Sequence, residues 1–251
     1  MRIFITGSYE WLQDCIAKYI MGDDHIILRE YDEEPGGVDI VVHVDMKNEE
    51  CINYPGAPLL YITSLGTYGT CNDMNQTAMD YIKRNGGVYV RLCEIYGDIP
   101  QGNANIIMDL IEEAMYTRQL DLRGRSFTPF QIIHYEDALH GIKTIIDNMS
   151  LLLGEQIDIT SFAWVSIKDI VKQIHQLYIT HFEHHLLVRD EEPYNTLSTS
   201  TSTSTSTSIN ICDERSPPTK HTIFHDTLWQ PSFKLHDFIL EWMQKKERPI
   251  V

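Results

Sequence analysis

Met1-Arg2-Ile3-Phe4-Ile5-Thr6-Gly7-Ser8-Tyr9-Glu10-Trp11-Leu12-Gln13 opens the chain and changes periodicity once. Arg2 to Thr6 is a short β-prone run, and Gly7 with Ser8 breaks it. Trp11, Leu12, Cys15, Ile16, Tyr19 and Ile20 then recur at helical spacing. The stretch therefore predicts a strand, a tight turn and an amphipathic helix. His25 to Leu28 reads as a second strand, ending in the polar run Arg29 to Glu34, and Pro35-Gly36-Gly37 reads as a loop. Val38 to Val44, Leu59 to Thr63 and Val88 to Leu92 are apolar runs of the kind buried on both faces.

Helical spacing returns in Ile106, Ile107, Leu110, Ile111, Ala114 and Met115, and again in Leu139, Ile142, Ile146 and Met149. Strands alternating with helices predict an α/β fold, a Rossmann-like doubly wound parallel sheet with ligands at the carboxyl ends of its strands. Residues 1–150 read as that domain, with 98–125 contributing in part to a second lobe. Residues 151–251 read as the small C-terminal α/β lobe. Within it Ser166 to Tyr178 predicts a helix, and Leu235, Phe238, Ile239 and Trp242 mark a terminal one. Residues 198–208 alternate Ser and Thr without interruption. Such a tract has little apolar surface to offset its ordering entropy and reads as a flexible linker. An edge strand and an O-glycosylated stalk are the alternatives.

Hydrophobic residues make up 43% and charged residues 22% of the 251, which is a normal globular balance. The formal net charge of -16 sets the surface against nucleic acid and anionic membranes, because phosphates are repelled. Five scattered cysteines without a C-x-x-C pair argue against a disulfide framework or a zinc ribbon. No basic segment leads into a long apolar one, and no apolar run approaches the roughly 18 to 20 residues that span a bilayer. A cytoplasmic protein is expected.

Four stretches, in order, resemble the extended short-chain dehydrogenase/reductase family, the NAD-dependent epimerase/dehydratase type. Met1 to Gly7 is similar to its opening strand and first glycine. Tyr61-Ile62-Thr63-Ser64-Leu65-Gly66-Thr67-Tyr68-Gly69 is similar to "yiSSaavYG". Val90-Arg91-Leu92-Cys93-Glu94-Ile95-Tyr96-Gly97 is similar to "lRlxNvYGp", and Ile132-Ile133-His134-Tyr135-Glu136-Asp137-Ala138 to "fiHVdDva". A weaker fifth stretch, Thr219-Lys220 with Leu228-Trp229-Gln230-Pro231, resembles "sK…LGWxP". The resemblance covers most of the chain except Val188 to Arg215.

The resemblance implies an NAD(P) cofactor held by G-x-x-G-x-x-G after the first strand, and a nucleotide-sugar substrate. Gly7, Ser8 and Glu30 are the cofactor candidates, Glu30 as an acceptor for an adenosine ribose or, alternatively, as an exposed charge. Glu10 and Gln13 stand where the second and third glycines belong. A carboxylate at 10 faces the pyrophosphate's charge, a repulsion of about 1 kcal/mol in water at about 4 Å and several in a screened cleft. Gln13 is expected to prop the helix away from the strand. Asp45 falls where the family has a small alanine and adds a second carboxylate.

The family's chemistry needs Ser or Thr with Y-x-x-x-K, whose spacing puts Tyr and Lys on one helix face. Ser64 matches the hydroxyl, and Tyr68 is the candidate substitute acid. The Tyr and Lys positions hold Asn72 and Gln76, neither of which ionises near neutral pH. Tyr81 and Lys83, two apart, cannot face each other on a helix. On the substrate side Glu94 replaces an Asn and Phe130 an Arg, which leaves Arg123 and Arg125 as the candidate cations. Arg91, His134 and Asp137 read as structural.

His181, Glu183 and His185 would share a strand face, which reads as solvated rather than as a metal site. The family's third strand and the helix after Asp45 have no room in this chain. The reading is a shortened, degenerate and non-catalytic relative acting as a binding or assembly protein. The alternative is an active NAD(P)-dependent epimerase, dehydratase or reductase on a nucleotide sugar, centred on Ser64 and Tyr68. A nucleotide-sugar ligand or a partner protein is the expected partner, and the oligomeric state is left open.

Overall fold

A computed structural model of the chain describes residues 1–21, 25–29, 37–45, 56–65, 72–99, 106–122, 129–182, 186–189 and 223–247. The opening strand-turn-helix is present as β1 (Arg2–Gly7) and α1 (Glu10–Ile20). There follow β2 (Ile26–Arg29), β3 (Ile40–Val44), β4 (Leu59–Ser64), α2 (Asn72–Asn85), β5 (Gly87–Leu92) and β6 (Glu94–Tyr96). Then come α3 (Ile106–Thr117), β7 (Gln119–Asp121), β8 (Phe130–His134), α4 (Tyr135–Asp147), α5 (Met149–Leu152) and β9 (Gln156–Ile159). The last elements are β10 (Trp164–Val165), α6 (Ile167–Phe182), β11 (Leu187–Arg189), a π-helical turn at Ile223–Leu228, and α7 (Leu235–Glu247).

The main sheet has the order β2-β1-β3-β4-β5-β9, with neighbouring strands parallel throughout. Its inner strands are mostly apolar because both faces are covered, and alternate residues serve different layers. Ile3, Ile5, Ile40, Val42, Val44, Leu60, Ile62, Val88 and Val90 pack with Leu12 and Ile16 of α1 and Leu139 and Ile142 of α4. Phe4, Val41, Leu59, Tyr61 and Tyr89 pack with Ala78, Tyr81 and Ile82 of α2 on the opposite face. The chain moves from β1 to β2 on one side, and β3 then takes the other side of β1. That reversal is a topological switch point, where a doubly wound sheet opens a crevice at its carboxyl edge.

The chain divides into two units. One comprises Met1–Asn103, Gln131–Ala163 and Glu214–Phe233; the other comprises Ala104–Phe130, Trp164–Asp213 and Lys234–Val251. The expected cut near residue 150 is therefore displaced. β9 lies beyond it yet extends the main sheet beside β5, and the Phe224–Trp229 stack belongs to the same core as α1 and α4. In the second unit α3, α6 and α7 pack together, and β7 pairs in parallel with β11.

The helix expected to end at Tyr178 runs on to Phe182. Leu177, Tyr178 and Phe182 continue its apolar stripe and are buried, so the helix gains by extending. His181 therefore lies on α6 rather than on a strand, which corrects the expected shared strand face. Glu183, His184, His185 and the tract 198–208 lie outside the described residues.

Candidate functional site at the carboxyl edge of the sheet

Gly7 ends β1 with φ +119°, and a Cβ placed there would stand 2.1 Å from the Val44 carbonyl oxygen. Only glycine permits this approach of β1 to β3. Ser8 N–H donates to that same Val44 carbonyl at 3.0 Å, which carries the pairing one residue past the strand. The helix then starts from Tyr9, whose side chain makes no capping hydrogen bond, with Glu10 in its first turn. Tyr9 and Trp11 pack edge to face at 5.4 Å, and both lie against the core.

Gln13 does not prop α1 off the sheet. Its Nε2 donates to the Gly7 carbonyl at 2.7 Å, and the residue is buried. The amide folds back along the helix and fills the space that a glycine would leave. Leu12 and Ile16 still share one core with Ile3 and Ile5. The expected displacement fails because a long polar side chain finds a partner at the turn.

Asp45 follows β3 directly and is fully buried. Its N–H donates to the Ile62 carbonyl at 2.9 Å, so the backbone is still in sheet register. Its carboxylate accepts from Ser8 Oγ at 3.3 Å and from Tyr61 Oη at 3.1 Å. One carboxylate thus ties together the chain leaving β1, the end of β3, and β4. Beneath it runs a column set by register, since His43 lies opposite Tyr61, and Tyr61 opposite Tyr89. Their rings stack at 5.5 Å in each step. Burial, then Asp158 and Asp45, push the Tyr89 phenol well above its ordinary range.

Ser64 ends β4, half-buried and opposite Leu92 of β5. Tyr68, Glu30, Arg123 and Arg125 lie outside the described residues, as do the side chains of Asn72 and Gln76. The backbone of α2 begins at Asn72. Tyr81 is in the core behind α2, its phenol raised by desolvation, and Lys83 is exposed. The structure thus separates the one tyrosine and the one lysine of that helix. Glu94 stands exposed at the start of β6, with desolvation by the surrounding protein raising its carboxyl. Among the described residues no three His, Cys, Asp or Glu side chains gather in a way that could hold a metal.

Arg91, His134 and Asp137 are framework groups. Arg91 pairs with buried Asp158. His134 accepts from the Glu136 N–H at the start of α4 and stacks on Phe233 at 4.0 Å. Asp137 accepts from Ser232 N and Oγ and from Phe233 N. Sequence reading found Gly7, Gln13 and Asp45 one at a time. The Ser8–Asp45–Tyr61 bridge needs the order of three strands, which no local pattern carries.

No family model and no curated protein matches the sequence. Solved structures do match over nearly the whole chain. dTDP-glucose 4,6-dehydratase from Bacillus anthracis, in complex with NAD, matches with TM-score 0.63 and 12% identity, covering 98% of this chain and 97% of that one. UDP-N-acetylglucosamine 4-epimerase from Bacillus cereus gives 0.62 and 12%, covering 99% and 100%. UDP-glucose 4-epimerase from Thermotoga maritima, with UDP-glucose, gives 0.64 and 10%, covering 99% and 100%. The chain has the fold of these dehydratase and epimerase structures. At such identities the likeness is one of fold, and function has to be argued from the site.

Proposed function

We propose that this chain is a non-catalytic variant of the epimerase/dehydratase fold that works as a binding or assembly protein. The observation that carries the reading is α2. Its sequence, NDMNQTAMDYIKRN, holds a single tyrosine that is packed in the core and a single lysine that is exposed two residues later. Proton transfer at a sugar hydroxyl needs a tyrosine of lowered pKa beside a cation, both at the carboxyl edge. Burial moves Tyr81 the opposite way.

The residues at the β1/β3 switch point do not fit a dinucleotide. Buried Asp45 and first-turn Glu10 place two carboxylates where a diphosphate would approach the turn. Ser64 at the carboxyl end of β4 favours the other reading, an NAD(P)-dependent enzyme on a nucleotide sugar with Ser64 and Tyr68 at its centre. Structural relatives named for UDP-glucose and NAD make these the ligands to test first. The proposed setting is cytosolic, in keeping with Cys15 and Cys93 as free thiols. Among the described residues no helix is long and apolar enough to cross a membrane.

Thermal unfolding with NAD⁺, NADH, NADP⁺, NADPH and UDP-glucose at about millimolar concentration is the test. No shift with any of the four dinucleotides is expected. A low-micromolar dissociation constant would stabilise the fold by a few kcal/mol, and such a shift with any dinucleotide overturns the non-catalytic reading.

A further inference from the structure

We infer that Asp45 is the specificity-determining residue of the β1/β3 crevice, barring diphosphate-bearing ligands from a turn that Gln13 holds closed. The inference rests on the non-catalytic reading in one respect, since both deny a bound dinucleotide. It goes further by assigning the exclusion to one buried charge rather than to erosion of the whole turn.

The geometry separates three contributions. Gly7 ends β1 with φ +119° and no room for a Cβ against Val44. The close approach of β1 to β3 at the turn is therefore kept. Gln13 satisfies the Gly7 carbonyl from within the chain at 2.7 Å, so the turn is tied to α1 without any ligand. Asp45 then bridges the strand ends through Ser8 Oγ at 3.3 Å and Tyr61 Oη at 3.1 Å. A phosphate at this edge would meet a carboxylate anchored from two sides and unable to swing away.

Glu10 carries the same charge but differs in setting. It is exposed on the first turn of α1, where water and salt screen it. Asp45 is fully buried, and its field acts through a less polarisable medium. Of the two carboxylates, the buried one dominates the repulsion of an anion. Asn at 45 keeps the shape: its Oδ1 accepts from Tyr61, and its Nδ2 can donate to Ser8 Oγ. Asp45→Asn thus removes the charge while leaving the bridge.

The test measures binding of ADP-ribose, which carries the diphosphate, and of adenosine, which does not. Titration calorimetry is run on the full chain as wild type, Asp45→Asn, Glu10→Gln, and Asp45→Asn with Gln13→Gly. Circular dichroism and thermal unfolding first establish that each variant is folded. Wild type is expected to bind no ADP-ribose at about millimolar concentration. Asp45→Asn with Gln13→Gly should bind it at least about tenfold tighter than wild type, Asp45→Asn alone should move the same way, and adenosine should not change. Glu10→Gln should gain less than Asp45→Asn, and that gain should shrink with added salt.

An equal or larger gain from Glu10→Gln overturns the assignment to Asp45. So does a folded Asp45→Asn, Gln13→Gly protein that gains nothing, and that outcome leaves the non-catalytic reading standing. Wild-type binding of ADP-ribose in the low-micromolar range overturns both. Should the Asp45→Asn, Gln13→Gly protein fail to fold, the comparison of Asp45→Asn with Glu10→Gln decides the matter alone.

Discussion

Arg91 and Asp158 face each other across β5 and β9 in register, and the guanidinium grips the carboxylate through Nε and Nη2, each at 2.5 Å. Both side chains are buried. The ring of His225 lies 2.9 Å from the Asp158 carbonyl, so the turn at Ile223–Leu228 rests on the same strand. β9 is the outer strand of the described sheet, and this pair adds a buried side-chain tie to its backbone pairing. Two-point geometry suits the planar fork of arginine and fixes the register of β9 as well as its position.

Removing either partner leaves the other charge buried and uncompensated. Arg91→Met and Asp158→Leu are each expected to lose about 3 to 5 kcal/mol in urea unfolding. The paired replacement Arg91→Met with Asp158→Leu should lose much less than the sum, because neither charge is then stranded. Additive losses in that cycle would show that the pair contributes no mutual stabilisation.

Gly7 and Gly154 offer a controlled contrast. Both have positive φ, +119° and +84°, but a Cβ at 154 meets nothing within 4 Å, whereas at 7 it strikes the Val44 backbone. Gly154→Ala should cost about 1 to 2 kcal/mol, the conformational penalty alone. Gly7→Ala should cost at least about 3 kcal/mol, since β1 and β3 must separate as well. Equal losses in thermal unfolding would mean that the strand approach relaxes freely.

The legible parts of this fold are those whose cause is local. Ile3 with Ile5 against Phe4, and Ile16 one turn beyond Leu12, announce strand and helix because burial follows periods of 2 and 3.6. The doubly wound class follows from their alternation. β9 was hidden because Gln156–Ile159 is only four residues long and carries Asp158, a charge that makes sense only beside Arg91. The same holds at the site. Asp45 and Gln13 are conspicuous against the family pattern, yet their partners Tyr61 and Gly7 are fixed by strand order and by a side chain turning back on its own helix. The last turn of α6 is not legible beyond Tyr178, because His181 interrupts the pattern just before Phe182 completes it.

α6 begins with a reciprocal cap. Ser166 Oγ accepts from the Asp169 N–H at 3.2 Å and donates to the Asp169 carboxylate at 2.6 Å, and the Ser166 N–H donates to that carboxylate at 3.0 Å. Ser166→Ala should cost about 1 kcal/mol at neutral pH. The Ser166 hydroxyl and then its N–H hold the Asp169 carboxyl below its ordinary value, with Lys172 adding to the effect. A depressed carboxyl stabilises the fold fully above its unfolded value, about 3.9, and loses that contribution as pH falls through the folded value. The gap between wild type and Ser166→Ala should therefore narrow in urea unfolding below about pH 4. A gap independent of pH would assign the cap to the serine alone.

Asp137 determines how the chain reaches Phe233. Its carboxylate takes the Ser232 N–H at 3.0 Å, the Ser232 hydroxyl at 2.8 Å and the Phe233 N–H at 2.9 Å, while Phe233 stacks on His134 one turn earlier. Two of these donors are main-chain groups, so no change of side chain at 232 or 233 short of proline removes them. Ser232→Ala should then cost only about 1 kcal/mol, the loss of one hydroxyl. Asp137→Ala strips all three donors of a charged acceptor, and each such bond contributes roughly 1.5 to 3 kcal/mol, so a loss of at least about 3 kcal/mol is expected. Hydrogen exchange gives the sharper readout, because the Ser232 and Phe233 amides should lose protection in Asp137→Ala and keep it in Ser232→Ala. Protection that survives Asp137→Ala would show that packing of Phe233 on His134, rather than the carboxylate, holds the segment.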